Sequence, residues 1–224
     1  MPRPSRHLDR ALLAAGRALL PTRGCSGLSV REVVEAAGVN LGMFHYHFKT
    51  RDAFLRAVLQ QLYEEMFAQL HFDAARDAGE LGNLRYALRV LGRFLRDNRA
   101  VLARVLADAL CADPIARAFI AQNAPRHLGI LRQLLAQGQA SGALRRLALP
   151  QALGICAGAL ATPILLGGAI VDSGVLPAAS ARELERTLLG NAAIDERIEL
   201  ALFSLCAPPR TPAKRPRARK EPAS

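Results

Sequence analysis

Along most of this chain, apolar residues recur every three or four positions, the period of a helix with one buried face. Leu8, Ala11, Leu12, Ala15 and Leu19 predict a helix over residues 8–20, and the stretch from Pro21 to Gly27 reads as a loop. Phe54, Val58, Leu62, Met66 and Leu70 are spaced by four and predict a long helix with a continuous stripe. Residues 73–79 break that pattern. Leu81, Leu84, Leu88, Leu91 and Leu95 then make a near-heptad helix, and residues 101–110 a shorter one. Pro114 suits the first turn of the next helix, which runs to about Ser141 with a kink at Pro125 and a stop at Gly142. The last helix is predicted to start at Ser180, with Glu183 completing an S-x-x-E capping box. Leu184, Leu188, Ile194, Ile198, Leu202 and Leu205 keep one of its sides apolar.

A different pattern occupies residues 28–51, LSVREVVEAAGVNLGMFHYHFKTR. Ser29 and Glu32 form another capping box, and Val33, Ala36 and Ala37 give the helix they open an apolar side. Gly38 ends it, because glycine accepts the left-handed conformation of a helix C-terminus. Asn40 is a suitable N-cap for a second short helix. A short helix offered to solvent by such a turn fits the DNA major groove, and Arg31, Lys49 and Arg51 place cations beside it.

These residues resemble the TetR family of transcriptional regulators. Ala36, Ala37, Gly38, Val39, Gly42, Phe44, Tyr46, His47 and Phe48 match its helix-turn-helix, and Leu12, Ala14, Ala15, Leu19 and Gly24 match its first helix. The resemblance covers about the first quarter of the chain. It implies DNA contacts from Ser29, Arg31, Asn40, Leu41, Gly42, Met43, His45, Tyr46, Lys49, Thr50 and Arg51. Asn40 to Met43 would face base edges. Tyr46, Lys49 and Arg51 would hold phosphates, which set register rather than sequence. His45 falls where the family usually places a phosphate-contacting tyrosine, and Val30 where it often places a hydroxyl residue.

Composition sharpens this picture. Ala and Leu dominate and Trp is absent, which favours an all-α protein. A formal net charge of +11 suits a polyanionic partner. Cys25, Cys111, Cys156 and Cys206 are scattered without a C-x-x-C pair, as in a reducing, cytoplasmic protein, and the N-terminus lacks the apolar core of a signal peptide. His45 and His47 stand two apart, on different faces of a helix, so no metal site is expected. No nucleophile elbow, P-loop or dinucleotide fingerprint points to an enzyme or a cofactor. Asp108 and Asp113 read as exposed acids between helices.

Residues 147–171 carry no charge and are long enough to cross a bilayer. Their Ala and Gly content, with Gln151, Thr162 and Pro163 inside the run, favours instead a helix buried on all sides. The resulting expectation is a helix-turn-helix domain over residues 1–50, a helical regulatory and dimerisation domain over 51–207, and a disordered basic tail over 208–224. The family resemblance implies a homodimer paired through its last two helices, reading a palindromic operator in double-stranded DNA as a repressor. Release would follow binding of a small, mostly apolar effector in the body, with the helix after the reading head as the coupling element. The competing readings are a single-span membrane protein and a sequence-independent DNA-compacting protein.

Overall fold

The computed structural model describes residues 5–72 and 79–206, and every regular element among them is helical. The basic tail lies outside the described residues. In chain order the helices are α1 (Ser5–Gly27), α2 (Val30–Ala37), α3 (Leu41–Phe48), α4 (Arg51–Phe72), α5 (Gly79–Asp97), α6 (Arg99–Leu110), α7 (Pro114–Ser141), α8 (Leu149–Asp172), α9 (Ala178–Leu184) and α10 (Asn191–Leu205). Among the described residues, one isolated antiparallel bridge joins Leu144 to Cys206.

Two apolar cores form, and α4 feeds both. The first gathers Leu12, Leu20, Leu28, Val33, Phe44 and the α4 residues Phe54 to Leu62, and it also draws in Val101 and Val105 from α6 and Ile115 and Ala116 from α7. The second takes Tyr63, Met66 and Leu70 from the far end of α4 and packs them with α5, α7, α8 and α10. The stripe Phe54, Val58, Leu62, Met66, Leu70 is buried along its whole length. The period-four pattern thus identified the helix that both cores share.

Three expectations are corrected. The loop expected over residues 21–27 is helical except at Gly24, where φ is 70° and ψ is 177°. Pro21 is accommodated inside α1. The kink frees the backbone N–H of Cys25, and a carboxylate oxygen of Asp108 on α6 accepts it at 2.7 Å. The chain then closes one more turn, Leu28 N–H donating to Gly24 O.

The last helix is two helices. Pro177 caps α9 three residues ahead of Ser180, so Ser180 lies inside the first turn and its capping box does not form. A π-turn at Glu185–Leu189 and an extended Gly190 (φ −62°, ψ 150°) then separate α9 from α10. Finally, α8 is not buried on all sides. Ala152, Cys156, Leu160, Ile164, Gly167 and Gly168 face the core. Gly154, Gly158, Leu166 and Ile170 face outward, and only 28% of its most apolar window is buried.

Candidate nucleic-acid interface

The turn between α2 and α3 is held from both sides. Ser29 accepts the Glu32 N–H at 3.2 Å, while the Glu32 carboxylate accepts the N–H of Ser29 at 3.2 Å and its hydroxyl at 2.8 Å. Those bonds from Ser29, with Arg23 2.7 Å away, hold the Glu32 pKa below its usual value. Gly38 ends α2 in the left-handed region at φ 64°. Asn40 Oδ1 then accepts the Met43 N–H at 2.9 Å and starts α3. Both caps satisfy helix-end N–H groups that would otherwise lack partners.

The outward side of α3 is formed by Leu41, Gly42, His45 and Tyr46, with Met43 half-buried. Leu41 is 46% exposed and Tyr46 73%, both on the open side of α3. Gly42 leaves this side flat. On the inward side Phe44 is fully buried and meets Phe54 at 5.2 Å and Phe48 at 5.8 Å between ring centroids. Of the three aromatics in this run, Phe44 and Phe48 therefore build the core and Tyr46 remains outside. His47 lies against Tyr46 and Phe48, with its Nε2 buried and without a hydrogen-bond partner.

The expected phosphate-contacting residues are placed differently from one another. Lys49 is exposed at the end of α3, with φ 59°. Its carbonyl lies 3.2 Å from His45 Nδ1, which fixes the proton of a neutral imidazole on Nδ1 and leaves Nε2 free. Thr50 caps α4, its hydroxyl oxygen accepting the Ala53 N–H at 3.1 Å. Arg51 turns inward: Nε donates to Leu28 O at 2.6 Å, Nη2 to Cys25 O, and Nη1 pairs with Asp52 at 3.3 Å. It fastens the start of α4 to the end of α1. Arg31 is exposed on α2.

Sequence reading missed the other fastener. Asp108, expected at the surface, is only 7% exposed. It takes the Cys25 N–H and, 2.9 Å away, Arg104 Nε. Burial and the nearby Asp108 and Asp113 push the Cys25 thiol up to about 12, so it is a packing group and not a reactive thiolate. Asp113 also has a structural position, accepting the N–H groups of Ile115 and Ala116 as the N-cap of α7. The signal was present in the i,i+4 pair Arg104–Asp108, but nothing in the linear pattern tied it to Cys25, 83 residues away.

Behind this head lies a cavity of about 270 Å³ lined by α4, α5, α6, α7 and α8. Its walls are Leu, Phe, Ile, Met and Ala, with Tyr63, Asn123, His127 and Cys156 as the polar exceptions. Leu102 reaches it from α6, the helix that also carries Asp108. Burial pushes the Cys156 thiol up to about 11 and the His127 pKa down.

A fixed three-helix head that presents the exposed side of its third helix defines a helix-turn-helix DNA-binding protein. Residues 12–58 match the family described as bacterial regulatory proteins, tetR family. The matched stretch runs from α1 into α4, and over it this chain is similar to TetR-family regulators. It is 34% identical over 101 residues to an HTH-type transcriptional repressor of Mycobacterium tuberculosis, a match covering 45% of this chain and 53% of the relative. An HTH-type transcriptional regulator of Mycobacterium bovis matches to the same extent. The chain thus spans about half the length of the curated relatives it matches. In fold, it is similar to a tetR-family regulatory protein from Rhodococcus, with a TM-score of 0.65, 20% identity and coverage of 90% of this chain and 98% of the other. It is also similar to a hemolysin II transcriptional regulator, with a TM-score of 0.60, 15% identity and coverage of 91% and 99%. The relatives are named as regulators of transcription, not as enzymes.

Proposed function

We propose that this protein is a cytoplasmic, homodimeric transcriptional repressor that leaves a palindromic operator when a small apolar molecule binds its body. One observation carries the reading: the rigidly capped α3 leaves Leu41, Gly42 and Tyr46 exposed beside Lys49. Asn40 to Met43 then face base edges, while Tyr46, Lys49 and Thr50 face the phosphates. Ser29 and Arg31 approach the backbone from the start of α2, and His45 offers its free Nε2. Arg51 serves chiefly to hold α4 against α1.

The division proposed is a reading head over residues 1–50, a regulatory and dimerisation body over 51–207, and a basic tail over 208–224. The exposed apolar residues of α8 and α10 support the dimer. Leu166 is 61% exposed, Leu200 62% and Phe203 80%, an arrangement that favours cover by a second copy. The outward Gly154 and Gly158 let helices approach closely. That face would equally suit a membrane span, but the inner face of α8 is committed to a core shared with α5, α7 and α10.

The cavity supports effector control. α4 and α6 each run from its wall to the head, so a ligand that prefers one placement of these helices shifts the spacing of two heads. Half-sites lie about 34 Å apart in such dimers. The test is selection of binding sites from random duplexes, followed by footprinting. Recovery of one inverted-repeat sequence is expected. Uniform coating of DNA, driven by the +11 charge, would overturn the reading in favour of a compacting protein.

A further inference from the structure

The first turn of α3 is poor in hydrogen-bonding side chains. Leu41 and Gly42 are exposed and carry no polar side-chain atom, and Met43 is half-buried. Asn40 is exposed, but its Oδ1 is held by the Met43 N–H at 2.9 Å, which leaves only its amide N–H groups to reach outward. From Leu41 to Phe48 there is no Arg, Lys, Asp or Glu.

Leu41 is 46% exposed and belongs to neither apolar core. The space beside it is open. At Gly42 the one side chain beyond the chain neighbours that an added Cβ would meet is Asn40, at Oδ1, 3.3 Å away. The surroundings favour a polyanion: Arg31 and Lys49 are exposed on α2 and at the end of α3, while the acids Glu32 and Asp52 are paired with Arg23 and Arg51.

Major-groove chemistry limits what such a leucine can read. Every base pair offers hydrogen-bond donors or acceptors there, but the one apolar group is the C5-methyl of thymine. Against a guanine, adenine or cytosine edge, Leu41 covers polar atoms and returns no hydrogen bond, which is costly. Against thymine it buries a methyl group. The commonest specific contact, Arg or Lys on guanine O6 and N7, is not available from α3, which holds neither residue.

We infer that Leu41 is a specificity-determining residue that reads a thymine methyl at one fixed position of each half-site, with Gly42 letting the helix approach closely enough for that contact. The inference rests on α3 being the reading helix, and it names the base that this part of the helix selects. Polar contacts from Asn40, His45 or Tyr46 act on other groups and do not depend on that methyl.

The experiment starts with selection of sites from random duplexes by the full chain. Each thymine of the recovered half-site is then replaced, in both halves together, by deoxyuridine, which lacks the C5-methyl and keeps every hydrogen-bonding group. Affinities are measured by fluorescence anisotropy at one salt concentration. At one position uracil is expected to weaken binding about fourfold per half-site, the worth of one buried methyl, and about fifteenfold for the pair. In Leu41→Ala the thymine and uracil duplexes should bind alike at that position, with the salt slope unchanged because no phosphate contact is lost. Leu41→Gln, of similar size, carries the same expectation should the alanine variant fold poorly. A half-site without thymine, no position sensitive to uracil, or a sensitivity that persisted in the variants would each overturn the inference. A selection that returned no preferred sequence would overturn the repressor reading and this inference together. A preferred sequence without methyl dependence would overturn this inference alone.

Discussion

Replacing Gly24 by alanine tests how the head is fastened to the body. Gly24 holds φ 70° and ψ 177°, a region reserved almost wholly for glycine, and an alanine there carries about 1–3 kcal/mol of backbone strain. Its new Cβ would also lie 2.5 Å from Arg104 Cζ and closer still to Nη2 and Nε. The guanidinium must move, which breaks its 2.9 Å bond to Asp108. Arg104 is itself 35% exposed, so the attraction lost is small, but the Asp108 side chain is 9% exposed and loses its one charged partner, keeping the Cys25 N–H and thiol. A buried group losing its partner costs about 1–3 kcal/mol. The two effects sum to about 2–6 kcal/mol. For a chain of this size each kcal/mol lowers Tm by about 2–4 °C, so a midrange loss is roughly 8–16 °C. The assay is thermal unfolding by far-UV circular dichroism for Gly24→Ala, Arg104→Ala and the double variant. With Arg104 already truncated the clash is gone, and Gly24→Ala should cost only its backbone strain. A Gly24→Ala cost that was the same in both backgrounds would refute the steric argument, and an unchanged Tm in the single variant would refute both parts.

Three further outcomes are expected. Lys49→Ala should weaken binding to all DNA sequences and reduce the salt slope by about 0.9, the contribution of one phosphate; Arg51→Ala should in addition lower Tm, because Arg51 holds the carbonyls of Cys25 and Leu28, and equal thermal stability of the two variants would contradict that role. Deleting residues 208–224, which include Arg210, Lys214, Arg215, Arg217, Arg219 and Lys220, should lower nonspecific affinity at low salt and leave the preferred site unchanged, a comparison made by titrating operator and scrambled duplexes. Burial lowers the His127 pKa from 6.5, so the unfolded chain takes up its proton first and acid favours unfolding. Stability attached to this residue is complete above about 6.5 and is lost as pH falls through the folded value; urea titrations should show a shallower acid limb for His127→Gln, and superimposable pH profiles would count against it.

Most helices were legible in the sequence because each has a repeating apolar stripe, and the turn at Gly38 and Asn40 because its chemistry is local. The errors fell where a distant partner decides the outcome. Pro21 and Gly24 look like loop residues until Asp108 supplies an acceptor for the freed Cys25 N–H. Ser180 and Glu183 spell a capping box, but Pro177 starts the helix earlier. The uncharged run of α8 looks uniformly buried because composition does not distinguish Leu160, facing the core, from Leu166, facing outward. At the candidate interface, residue types identified Lys49 and Tyr46 as exposed, but they could not separate Lys49 from Arg51, whose bonds run to carbonyls 23 and 26 residues earlier. The polar end of the cavity was invisible, since Tyr63, Asn123 and His127 meet only across α4 and α7.

The shared core also limits how parts of this protein can be exchanged. Val101, Val105, Ile115 and Ala116 complete the apolar interior beneath α1 and α4, and Asp108 closes its edge. A chimera that grafted residues 1–50 onto another regulator's body would leave Leu12, Leu20 and Phe44 without the surfaces that bury them, unless the graft also carried α4, the inner face of α6 and the start of α7. New operator specificity is therefore acquired more readily by substitution at Leu41 to Met43, which are not among the residues of that interior and leave the Asn40 cap in place, than by transplanting a whole head.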